Sequence, residues 1–236
     1  MVISLIGGGG KTTTMNYIAN YYKDNGKKVI ITTTTKIVKV DKYTEIKKAD
    51  EILNLQQGNE ILVIGRDCGE KLSSIDLEEV EKLHEFADLV LVEADGAKTL
   101  PIKLPRDNEP VIPENTDVCI VCMGVDAISK SIGEVCFRKE IAKKVFGFDE
   151  EHIISCEDAA RILTCKDGGL KGISDKKVIF LINKADTDDD IKTALEVKKY
   201  IDIFCKDMNL NNYKVAITSY KNNRGFNEFD FLNDFF

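Results

Sequence analysis

The sequence predicts an α/β fold with a doubly wound, mainly parallel sheet. Short β-branched runs recur at residues 2–6, 29–32, 61–64, 89–92, 118–122, 178–182 and 215–218. Most are continuously apolar rather than alternating, which suits strands covered on both faces. Segments with helical spacing separate several of them, and alternating strands and helices give this fold class. Met15, Ile18, Ala19 and Tyr22 line one face of a first helix that Gly26 would end. Residues 76–86 read as another helix. Asp188, Asp189 and Asp190 place negative charge where a helix dipole welcomes it. Behind them Ala194, Val197, Ile201, Phe204, Cys205 and Met208 keep helical spacing. With no repeat, low-complexity tract or obvious linker, residues 1–236 read as a single domain.

Composition narrows the function classes. Apolar residues make up 43% of the 236 and charged residues 31%, enough for a sizeable core. A net charge of −7 repels nucleic acid and anionic membranes, so neither is expected as a partner. The seven cysteines show no disulfide-framework spacing and fit a reducing compartment. Cys119 and Cys122 form a C-x-x-C, but they lie inside an apolar run, which favours small core residues over a metal or redox pair. The apolar start of the chain is short, lacks a basic flank and runs straight into glycines, unlike a signal peptide. A cytoplasmic location is expected.

The first strand leads into Gly7, Gly8, Gly9, Gly10, Lys11, Thr12 and Thr13. Four glycines let the backbone curl so that its N–H groups face phosphate oxygens, and the following helix adds its positive end. Lys11, read as an exposed side chain, would reach the β- and γ-phosphates of a nucleoside triphosphate, GTP or ATP. The Thr12 hydroxyl would ligate Mg2+. This places the fold in the P-loop NTPase type. Leu5 stands where the usual pattern begins with glycine. The run resembles the G-G-x-G-K-T-T form of the P-loop class that includes signal-recognition GTPases and dethiobiotin synthetase, with Ile6 in place of the lysine some members carry there. A dinucleotide fingerprint fits worse. Its third glycine position holds Thr12, and the second strand ends in threonines at 32–35 rather than in an acidic ribose ligand.

Downstream, one strand ends in Glu93-Ala-Asp95-Gly96. Carboxylates at such a strand end are where a P-loop protein places its second magnesium-side group. Asp95 is expected on the metal with Thr12. Either Glu93 or Asp95 would orient the attacking water, and with Lys11 they form the expected catalytic set. A later strand ends in Asn183-Lys184-Ala185-Asp186, which resembles the guanine-recognition motif of GTPases. There the aspartate accepts from guanine, the lysine stem covers the ring and the asparagine braces the loop. Thr218 and Ser219 end the last strand, where a GTPase touches the base from its other side. The threonines at 32–35 read equally as good strand or as hydroxyls near the γ-phosphate.

All four prolines fall at 101–113, so this stretch is neither a regular helix nor a central strand. It is expected as a stiff extended loop. Lys98, Lys103 and Arg106 in and beside it, with Arg138 further on, are candidates for holding an anionic second ligand or a client protein.

The glycine loop, Ile-Thr-Thr-Thr-Thr-Lys-Ile, Val-Glu-Ala-Asp-Gly-Ala-Lys, the proline segment through Glu109 and Pro110, Gly-Gly-Leu-Lys-Gly and Asn-Lys-Ala-Asp, in that order, resemble the YqeC family. That family is named for accessory proteins of selenium-dependent molybdenum hydroxylases. Lys11, Thr12, Glu93, Asp95, Lys98, Lys103, Glu109, Pro110, Asp186 and Arg138 fall in its motifs, and Phe137 stands where the family usually has histidine before the arginine. The resemblance implies a nucleotide-dependent step in maturing a molybdenum hydroxylase client or its cofactor. Three readings stay open on the residues alone. These are a nucleotide-hydrolysing accessory factor with GTP favoured, a P-loop phosphotransferase or ligase acting on a small anion, and a nucleotide sensor without turnover.

Overall fold

The computed structural model describes residues 1–55, 60–173 and 175–222. The chain falls into two compact units interleaved in sequence. One holds Met1–Leu5, Thr12–Gly96 and Val111–Val118, and the other Ile6–Lys11, Ala97–Pro110 and Cys119–Phe236. In chain order the elements are β1 (Val2–Gly7), α1 (Lys11–Asp24), β2 (Val29–Thr33), β3 (Lys36–Val38), β4 (Leu62–Val63), β5 (Arg66–Asp67), β6 (Lys71–Ser73), α2 (Leu77–Lys82) and β7 (Leu89–Glu93), all chiefly in the first unit. The second carries β8 (Ile102–Lys103), nearly all of β9 (Val118–Gly124), α3 (Ile132–Val135), β10 (Cys136–Phe137), α4 (Lys139–Phe146), α5 (Cys156–Thr164), β11 (Lys177–Asn183), α6 (Asp188–Asp207) and β12 (Tyr213–Ile217). The main sheet has seven strands in the order β12-β11-β9-β1-β7-β2-β4, and these are the seven apolar runs of the sequence.

In the first unit β1, β7, β2 and β4 pair in parallel. The side chains of β1, β7 and β2 are almost wholly buried, which explains why those runs do not alternate, whereas the edge strand β4 is partly exposed. Register sets Glu93 opposite both Leu5 and Thr33, at the C-terminal end of the strands. Val2, Ile30, Val90 and Val92 form a core with Ile52 and Leu83. On α1, Met15, Ile18, Ala19 and Tyr22 are buried as their spacing requires, and Gly26 follows its end with φ +76°. The helix expected at 76–86 is α2 plus a 3-10 turn over Leu83–Glu85. A small antiparallel sheet, β3-β6-β5, has no counterpart in the sequence reading, because two- and three-residue strands carry too little pattern.

In the second unit β11 and β12 pair in parallel, as do β8 and β10. Outside β8 the proline stretch forms neither helix nor strand, and it is not extended throughout as expected, because it turns at residues 107–108, where the Glu109 amide donates to the Arg106 carbonyl at 3.0 Å. Thr187 caps α6 by accepting from the Asp190 amide, and the Thr187 amide in turn donates to the Asp190 carboxylate. Ala194, Val197, Ile201 and Cys205 are buried on α6, against which α5 packs. Met208 departs from the expected pattern, since the helix ends before it and it is exposed. Cys119 and Cys122 are both buried in β9, and burial pushes the Cys119 thiol up to about 12, so both behave as core residues. Among the described residues no helix is long and apolar enough to cross a membrane.

Candidate functional site

β1 delivers the glycine loop of the second unit at its end. Gly7, Gly9 and Gly10 have φ of 90°, 72° and 114°, conformations that side chains resist. Space demands glycine as well. A Cβ on Gly8 would stand 2.5 Å from the Leu100 carbonyl oxygen, and one on Gly9 would stand 2.0 Å from the Gly124 nitrogen. The Gly8 amide donates to the Cys122 carbonyl (2.9 Å) and the Gly9 amide to the Leu100 carbonyl (3.0 Å). Two N–H groups that the sequence assigns to phosphate are therefore bonded within the unit. The first-turn amides of α1, which a helix leaves without intrahelical acceptors, begin just after them. Lys11 is buried rather than exposed, 5% accessible, and its ammonium donates to the Gly7 carbonyl at 2.5 Å.

The Asn183–Asp186 segment meets this loop. Asn183 ends β11 and is buried. Its Nδ2 donates to the Gly9 carbonyl (2.8 Å), and its Oδ1 accepts from the Thr218 hydroxyl (3.1 Å). The Ala185 amide donates to the Thr218 carbonyl. Ser219 Oγ donates to Asp186 Oδ1, and Asn222 Nδ2 to the Asp186 carbonyl at 2.6 Å. A carboxylate has about four acceptor sites, so Asp186 is held in place with capacity left for N–H donors. Lys184 adopts φ +65° and its ammonium donates to Asp126 Oδ2 at 2.9 Å. Sequence reasoning passed over Asp126, whose one signal is an acid just beyond the end of β9.

The second-ligand candidates divide. Lys103 is buried and lies 2.9 Å from Glu109 Oε2. Both terminal nitrogens of Arg138 donate to the two oxygens of the same carboxylate. Burial pushes the Glu109 carboxyl up, but hydrogen bonds from Arg138 and Lys103 outweigh it and bring it down to about 2. Lys98 is exposed, with its ammonium 5.3 Å from the centre of the Phe137 ring. Arg106 is exposed too, and its carbonyl accepts from Lys171 at 2.6 Å. Of the cations expected to hold an anionic second ligand, Lys103 and Arg138 thus form a buried ion triad with Glu109 of the proline segment.

In the first unit the Thr12 hydroxyl donates to Glu93 Oε2 at 2.9 Å. The sequence pairs Thr12 with Asp95, but the carboxylate this hydroxyl meets is Glu93. Both acids are buried. The hydroxyls of Thr32, Thr33 and Thr34 donate to the carbonyls of Ile64, Glu93 and Val111, which favours the structural reading of that run.

A parallel-sheet α/β protein with a glycine turn between its first strand and first helix is the class these features define. A family model described as YqeC protein matches residues 3–140, more than half of the sequence, and the chain belongs to that family. The protein named "Uncharacterized protein YqeC" from Escherichia coli (strain K12) is 25% identical over 87 residues, which make up 36% of this chain and 34% of that protein. The match thus spans about a third of the length of that relative. The family span holds the glycine loop, Glu93, the proline segment and Arg138, whereas Asn183, Asp186 and Ser219 lie beyond it.

Proposed function

We propose that the chain binds GTP with Mg2+ and hydrolyses it, as an accessory factor in maturing a selenium-dependent molybdenum hydroxylase or its cofactor. The observation that carries the nucleotide reading is the 2.8 Å bond from Asn183 to the Gly9 carbonyl. It ties a base-recognition motif to a phosphate loop, and a plain polar loop before a helix has no need of it. Ser219 on Asp186 supports guanine, because it fixes a carboxylate that can accept from two N–H groups of the base. Lys11 would face the β- and γ-phosphates. Thr12 and Glu93 offer a hydroxyl and a carboxylate, hard oxygen ligands of the kind Mg2+ takes, and the ion would neutralise charge on the phosphate oxygens. The maturation role rests on the family resemblance. Transfer to a small anionic substrate draws less support, since Lys103 and Arg138 are already matched to Glu109.

Asp186→Asn tests the base assignment. An amide presents one acceptor and one donor where guanine needs two acceptors. GTP affinity should fall by about 1–3 kcal/mol while ATP affinity stays level. Calorimetric titration of both nucleotides checks this, and an unchanged GTP-to-ATP ratio would remove Asp186 from the base site.

A further inference from the structure

We infer that Asp126 is a positioning residue for the nucleobase, holding the Lys184 stem flat as one wall of the base site. This rests on the guanine-nucleotide reading above. Lys184 Nζ donates to Asp126 Oδ2 at 2.9 Å, and both side chains are partly exposed, 37% and 39%. A half-exposed ion pair of this kind adds little to stability, so its consequence lies in where it puts the lysine. Three further features show that the placement is built in. Lys184 takes a left-handed backbone conformation, which a lysine adopts only when its surroundings impose it, and such outliers cluster at functional sites. The bonds on either side, Ala185 amide to Thr218 carbonyl and Asp186 amide to Lys184 carbonyl, fix that backbone. Gly124, which ends β9, leaves the space that the pair uses. A Cβ there would stand 2.2 Å from Asp126 Oδ1 and 3.3 Å from Lys184 Cδ.

The arrangement joins the pair to both halves of the motif. The same Gly124 backbone lies against Gly9, whose carbonyl Asn183 holds. The ammonium is anchored at Asp126, and the base-reading carboxylate of Asp186 is two residues along. The methylene stem between those two fixed points is the part left to lie along a planar ring. Without Asp126 the ammonium swings into solvent and the stem loses its fixed course, as the ordinary rotamer freedom of lysine requires.

The test compares GTP with inorganic tripolyphosphate, both with Mg2+, by calorimetric titration of the full chain. The unmodified chain should bind GTP more tightly than tripolyphosphate. If it does not, the base reading fails, and this inference with it. Given that gain, Asp126→Ala should weaken GTP roughly fivefold and leave tripolyphosphate level. Asp126→Asn, which keeps the volume, should do the same if the alanine variant fails to fold. In a Lys184→Met background the Asp126 change should have no further effect, because the partner it positions is gone. Unchanged GTP affinity in the Asp126 variants overturns the inference and leaves the base reading standing. Equal losses for GTP and tripolyphosphate overturn it too, since Asp126 would then act on the phosphate loop.

Discussion

Lys11→Ala is expected to lose at least about 3 kcal/mol of triphosphate binding, roughly a hundredfold in Kd. The reason is electrostatic. Its ammonium lies buried against the Gly7 carbonyl, inside the loop that the phosphates would enter. A charge held in a partly desolvated loop meets a polyanion with less screening than a surface lysine would. Because Lys11 is buried, alanine also removes a bond to the loop backbone, so melting temperature must be measured beside affinity. Lys11→Arg separates the two effects, since it keeps the charge but lacks the slim stem the loop admits. Calorimetry on the folded variants decides, and retention of full GTP affinity by Lys11→Ala would remove the loop from phosphate binding.

Glu109→Ala should be strongly destabilising. It strips the shared carboxylate from Lys103 and Arg138, both with largely buried side chains. Removing one partner of a buried ion pair costs roughly 3–5 kcal/mol, because the cations left behind keep their desolvation penalty. For a chain of this length that is a fall of roughly 6–20 °C in melting temperature. The effect has a pH signature. The folded carboxyl lies at about 2, below its ordinary 4.5, so its stabilisation is present above the ordinary value and is lost as pH falls towards the folded one. The gap between the unmodified chain and Glu109→Ala should therefore narrow from about pH 4.5 downwards. Melting curves from neutral to acid pH check this, and a gap that stays constant would show that the triad is not what Glu109 contributes.

These consequences show where the sequence was legible. All seven strands of the main sheet could be read, five of them because strands buried on both faces become continuous apolar runs, and the partly exposed β4 and β12 because they keep short β-branched runs. The short strands β3, β5, β6, β8 and β10 could not. Nor were α4 and α5 identified, although α5 carries a Ser155 and Asp158 capping box and Gly147 ends α4 with φ +77°. Those signals are local and could have found both helices. At the site, residues adjacent in sequence were legible, as with the glycine loop, Asn183 to Asp186 and Ser219. Pairings across the fold were not. The charges of Lys103 and Arg138 look like an anion site until Glu109 is brought onto them, and Asp126 meets a lysine 58 positions away. Glu93 and Asp95 are equivalent in pattern, and the hydroxyl of Thr12 distinguishes them only in three dimensions.

The central claim is that the glycine loop and the Asn183–Asp186 segment together hold a guanine nucleotide. The most direct measurement is calorimetric titration of the purified chain with GTP and with ATP, each with Mg2+. Two charged hydrogen bonds from guanine to Asp186 should make GTP bind at least roughly tenfold more tightly than ATP. Equal affinities would contradict the guanine assignment, and no binding of either nucleotide would contradict the phosphate loop itself.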